Sequence, residues 1–109
     1  MADTDERPVF RTQNPATLQA GRSYPGHSAA EAVERARRAA AAQRSWRHEG
    51  FAERARCMEK AAQILRSRRD EFAALMTEEM GKPVCDGLAE VDKCASACSH
   101  FAASAARYL

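Results

Sequence analysis

The side chains best suited to chemistry are four cysteines, Cys57, Cys85, Cys94 and Cys98, and three histidines, His27, His48 and His100. Cys94 and Cys98 stand one helical turn apart, with Cys85 and His100 close by in sequence. A structural zinc site draws on short-spaced ligand pairs in turns and needs four convergent donors. Here Cys98 falls in an apolar helical stripe, Cys94 falls on its flank, and His100 belongs to a different face. Buried cysteine behaves as a small hydrophobe, so packing is the expectation for this pair and no metal ligand is assigned. A nucleophilic cysteine needs a lowered pKa and partial exposure. Cys85, near a helix start, is the best placed, but no Gly-flanked loop surrounds it. No catalytic residue is assigned.

Two arginine clusters, Arg35-Arg37-Arg38 and Arg66-Arg68-Arg69, raise the question of nucleic acid. Acidic residues interleave with both, and 17 basic side chains against 15 acidic ones leave a net charge of +2. That balance creates no strong field for nucleic acid or anionic lipid; solvated helix faces are expected. No Gly-rich phosphate loop is written here, and no strand feeds one, so no cofactor-binding residue is assigned.

Positioning falls to elements that 109 residues can build as one domain. Mean hydropathy is −0.57, and no apolar run approaches the ~18–20 residues of a membrane span. The polar, acidic start, Met1 to Glu6, carries no secretory or transit pattern. A cytoplasmic location is therefore expected, and four cysteines there do not imply a disulfide framework. Ala supplies roughly a fifth of the residues, which favours helix.

Residues 1–27 lack helical periodicity. Pro8 to Thr12 and Ala20 to Tyr24 fit two short strands, joined at Asn14-Pro15-Ala16-Thr17, an Asx-type turn. Such a ribbon is only marginally stable alone and must lie against something else. Residues 28–109 read as four helices. The first opens on a capping box, Ser28 to Glu31, and carries a narrow stripe of Ala29, Val33, Ala36 and Ala40. Glu31 to Arg35 and Glu34 to Arg38 are expected ion pairs on its surface. Gly50 breaks it. A second helix buries Phe51, Ala55, Met58, Ala62 and Leu65; a third, from about Asp70 to Met80, buries Phe72, Leu75 and Met76. Gly81 and Pro83 end the third. The fourth starts near Cys85, and Leu88, Val91, Ala95, Cys98, Ala102, Ala105 and Leu109 alternate steps of three and four. Cys94, Ala97, Phe101 and Tyr108 widen that stripe until most of the helix requires cover. The helix meets the last residue with no cap, which reads as a truncation. The fold class is mostly α with an N-terminal β-ribbon, an α+β fragment.

The order of these segments resembles the start of the NAD(P)-dependent aldehyde dehydrogenases. Asn14-Pro15-Ala16-Thr17, Ser23-Tyr24-Pro25, the Ala-rich helix ending in Trp46, Phe51 to Arg56 and Arg68-Arg69-Asp70-Glu71 carry the likeness. It sharpens at Glu79-Met80-Gly81-Lys82-Pro83, because Glu-x-Gly-Lys-Pro recurs in that superfamily. Glu90 to Ala95, with Cys98, Phe101 and Ala102, is similar to the succinate-semialdehyde dehydrogenase branch.

The resemblance implies the truncated N-terminal part, residues 1–109, of a cofactor-binding domain in a longer α/β enzyme. That enzyme would oxidise a small aldehyde such as succinate semialdehyde with NAD or NADP and form a homo-oligomer. Its catalytic Cys and Glu and its cofactor loop would lie downstream, so the chain alone would be inactive and bind no cofactor. Ala89 and Lys93 match positions lining the mouth of the substrate tunnel, where a lysine would attract an acidic aldehyde, although a solvated surface lysine is the favoured account of Lys93. The family turn usually continues Gly-Glu where Leu18-Gln19 stand here, which removes a glycine from a positive-φ position. Gly50 replaces a usual Ser or Thr helix cap, at a cost of only a few tenths of a kcal/mol. The competing reading is a stand-alone helical interaction module; a DNA-binding module is a third.

Overall fold

The computed structural model describes residues 7–109; the acidic stretch before them lies outside the described residues. Two strands, β1 (Val9–Gln13) and β2 (Ala20–Pro25), precede four helices: α1 (Ala29–Trp46), α2 (Phe51–Ser67), α3 (Arg69–Met80) and α4 (Val84–Tyr108). The strands pair antiparallel, with Val9 opposite Pro25 and Phe10 opposite Tyr24, and the register slips between Arg11 and Gln13.

The ribbon turn is built on Asn14. Its side-chain oxygen accepts from the amides of Ala16 and Thr17 at 2.9 and 3.3 Å, and its carbonyl accepts from Leu18 N at 2.8 Å. Leu18 closes the turn at φ 61°, in the left-handed region. The turn geometry therefore survives without glycine, and a side chain bears the steric cost.

Helix α1 starts as its sequence dictates. Ser28 Oγ accepts from Glu31 N, and Glu31 Oε2 accepts from Ser28 N at 3.0 Å. Beyond the cap, expectation and structure part. No residue of α1 is buried; the Ala29, Val33, Ala36, Ala40 stripe faces outward, with Val33 half exposed. A helical period reports which face needs cover, and no described element supplies it. The expected surface pairs also rearrange. Glu31 turns back to Ser28, Arg7 and His27 rather than reaching Arg35, and Glu34 meets Arg37 at 3.9 Å rather than Arg38. Arg54 holds the far end of α1, donating to the carbonyls of Trp46 and Arg47 at 3.4 and 3.0 Å.

The packed part is α4 laid across α2 and α3. Its centre is Ala62 of α2, Ala73 of α3, and Gly87, Val91 and Ala95 of α4. Small residues allow the close crossing: a Cβ on Gly87 would stand 3.3 Å from the Cα of Ala73. Charged tethers frame it, Arg69 to Asp92 at 2.7 Å and Arg66 to Ser99 at 3.0 Å. Leu65, Phe72, Leu75, Met76, Leu88 and Ala102 are half-buried around this centre, while Phe51 and Met58 stay exposed.

Candidate functional site

The segment from Glu79 to Pro83 joins α3 to α4, and each of its polar or special residues has a visible task. Glu79 accepts the Tyr24 hydroxyl at 2.9 Å, which ties the ribbon to α3 and raises the Tyr24 pKa through that hydrogen bond to a carboxylate. Gly81 ends α3 at φ 72°, and a Cβ there would come within 2.8 Å of Pro15 in the ribbon turn. Both its dihedral and its neighbour therefore demand glycine. The Lys82 carbonyl lies 2.7 Å from Thr77 Oγ1, and Pro83 is the N-cap of α4. The Lys82 ammonium pairs with Glu90 two turns into α4, and the hydrogen bond between them raises the Lys82 pKa.

The face of α4 turned away from α2 and α3 holds a shallow concavity lined by Ala89, Glu90, Lys93, Cys94 and Ala97. Spacings of three and four residues put all five side chains on one helical face. Ala89 and Lys93, singled out in the sequence, thus share one surface. Lys93 makes no ion pair among the described residues, whereas neighbouring Asp92 is held by Arg69. The Lys82–Glu90 pair escaped sequence reading because its partners lie eight residues apart across a helix start. Its signal was Lys82 itself, inside a motif already noted.

The cysteines occupy less sheltered places than expected. Cys94 is exposed rather than packed, and Cys98 only half-buried, since α4 buries a narrower stripe than its sequence offers. Phe101 and Tyr108, from the same broad stripe, also face outward, and Leu109 is 92% exposed. Cys57 and Cys85 are exposed, with the Cys85 thiol 3.7 Å from an Asp86 carboxylate oxygen. No group of three or more potential ligands converges on a metal site among the described residues. The second arginine cluster is largely engaged: Arg66 meets Glu59, Arg68 meets Glu71 and Arg69 meets Asp92.

Comparison with known proteins decides the family. The aldehyde dehydrogenase family pattern matches residues 1–109. The chain belongs to the aldehyde dehydrogenase family. Among relatives, it is 46% identical over 93% of its length to a probable NADP(+) succinate-semialdehyde dehydrogenase of Synechocystis sp., of which it covers 22%. It is 43% identical over the same shares to an aldehyde dehydrogenase of Paenarthrobacter nicotinovorans. A solved structure described as "Structural insights into cofactor and substrate selection by Gox0499" superposes with a TM-score of 0.88 at 33% identity, over 93% of this chain and 22% of that one. The chain thus spans about a fifth of the length of these relatives. The four helices and two-stranded ribbon are the architecture of a family segment.

The glycines at 21, 26, 50, 81 and 87 compose no phosphate-binding loop. The two described strands form an antiparallel ribbon rather than feeding a helix N-terminus, and the α1 N-terminus is already satisfied by its own capping box. No described helix is long and apolar enough to cross a membrane.

Proposed function

We propose that these 109 residues are the N-terminal part of the cofactor-binding domain of an NAD(P)-dependent dehydrogenase acting on a small acidic aldehyde such as succinate semialdehyde. In this reading the open face of α4 borders the substrate tunnel. Ala89 provides a small apolar wall, and Lys93 draws the substrate carboxylate toward the mouth. The catalytic nucleophile, the base and the dinucleotide site belong to the remainder of the enzyme, which works in the cytoplasm as a homo-oligomer. The chain by itself turns over nothing.

The observation that carries this reading is the grouping of Ala89 and Lys93 on one concave, uncovered face of α4. The names of similar relatives, several of them succinate-semialdehyde dehydrogenases, support the choice of substrate. The test is steady-state kinetics of Lys93→Gln in the full-length enzyme, with succinate semialdehyde and with butanal. The substitution should raise KM for the acidic aldehyde relative to the neutral one by roughly threefold to fivefold, the effect of one charge in a wetted channel. An equal change for both substrates, or none, rejects the tunnel reading. Turnover of an aldehyde by the purified 109-residue chain with NAD(P)+ would reject the division of labour. The uncovered helices also suit an interaction module, which a stable, cooperatively melting monomer would favour.

A further inference from the structure

The α4 concavity contains two charged side chains, Glu90 and Lys93, three residues apart on one helix. At that spacing a glutamate and a lysine are natural partners, and together they would cancel. Instead Glu90 is taken by Lys82, which reaches it from the connection before α4, while Lys93 is left without an ion pair among the described residues. The arrangement is held from behind. Gly81 sets the left-handed turn, Thr77 Oγ1 lies 2.7 Å from the Lys82 carbonyl, and Pro83 starts α4. The lysine stem is thereby launched toward the second turn of the helix. The other acids of α4 do not compete for Lys93: Asp92 is held by Arg69 at 2.7 Å, and Asp86 stands at the helix start on the Lys82 side.

We infer that Lys82 sets the charge of this concavity: by engaging Glu90 it leaves Lys93 free and gives the tunnel mouth a net positive charge, which selects anionic over neutral aldehydes. The inference rests on the tunnel reading of Ala89 and Lys93. It assigns Lys82 a positioning role, exerted through Glu90 without contact with substrate. Without Lys82, the Glu90 carboxylate turns to Lys93, and the mouth carries a neutral pair in place of a free cation.

Opposite signs at the two partners make the idea testable in the full-length enzyme. The quantity to read is the KM for succinate semialdehyde divided by the KM for butanal, at low and at high salt. Lys82→Met should raise this ratio roughly threefold at low salt, and Glu90→Gln should lower it roughly twofold. The double variant should fall back near the parent, Lys82→Arg should preserve the parent ratio, and high salt should compress every difference. A merely structural role for the pair moves both single variants in the same direction, or moves both substrates alike; either result overturns the inference. Should Lys82→Met fail to fold, Glu90→Gln alone decides, because a ratio that stays level or rises contradicts the charge argument. Lys93→Gln separates the two levels. If it shifts the ratio while the Lys82 and Glu90 variants do not, the tunnel reading stands and this inference falls. If Lys93→Gln shifts nothing, the tunnel reading itself falls.

Discussion

Leu18 is the residue most at odds with its backbone. A left-handed conformation costs a residue with a Cβ roughly 1–2 kcal/mol, and Leu18 adopts it with its side chain exposed. Glycine in that position relieves the strain but is more flexible in the unfolded chain, which returns part of the gain. Leu18→Gly should therefore stabilise the ribbon by about 0.5–1 kcal/mol, seen as slower amide exchange at positions 14 and 18; faster exchange contradicts the strain assignment. Glu31 supplies a second residue-scale test. Its pKa lies below the ordinary glutamate range, first because its carboxylate accepts from the Ser28 amide and then through Arg7 and His27. A depressed folded-state pKa contributes stability that is complete above the unfolded value and lost as pH falls through the folded one. The start of α1 should therefore fray on acidification below the usual carboxylate range. Ser28→Pro, which keeps the φ of −67° but removes the donating amide, should return the Glu31 carboxylate titration, followed by NMR, toward its ordinary value. An unmoved titration would show that the cap is not the cause.

At the scale of elements, close crossings rather than bulky contacts hold the helices. The most deeply buried hydrophobic side chains are Ala62, Ala73, Val91 and Ala95, and Gly87 brings α4 against the backbone of Ala73. A larger side chain has no space there. In the full-length enzyme Gly87→Leu should separate α3 from α4, cost about 1–3 kcal/mol through overpacking, and abolish protection of the α4 amides around Val91 in hydrogen exchange. Retained protection would mean that the crossing is looser than its 3.3 Å approach implies. The same crossing explains why Cys94 and Phe101 remain outside. A face built from small residues brings the helices close along a narrow line and leaves Cys94 and Phe101, on the flanks of α4, exposed.

The molecule as a whole is open. Its radius of gyration is 18.5 Å, against the roughly 13 Å of a packed domain of this length. The described core is a few small side chains, and α1 contributes nothing buried to it. So small a core does not offset the entropy of ordering such a chain. The isolated 109-residue chain should bind a hydrophobic dye such as ANS, melt over a broad temperature range, and exchange the α1 amides faster than those of α4. A sharp melt without dye binding would contradict this account.

Much of the architecture is written locally. The capping box at Ser28, the Asx turn at Asn14, the Gly81 stop and the 3.6-residue period of α4 each follow from short-range hydrogen bonding and sterics. Neighbours in sequence suffice to specify them, and the structure repeats them closely. The motif order from Asn14 to Ala102 likewise carried the family. Which apolar faces find cover is another matter. The α1 stripe has the same periodicity as a buried one yet stays exposed, because burial depends on a partner surface and not on the pattern that requests it. The candidate site divides the same way. Ala89 and Lys93 lie on one face by helical spacing alone, but tertiary structure decided which charge in that face is free. Only the turn through Gly81 and Pro83 brings Lys82 to Glu90, and an ion pair between a connection residue and a helix residue eight positions on leaves no period in the sequence.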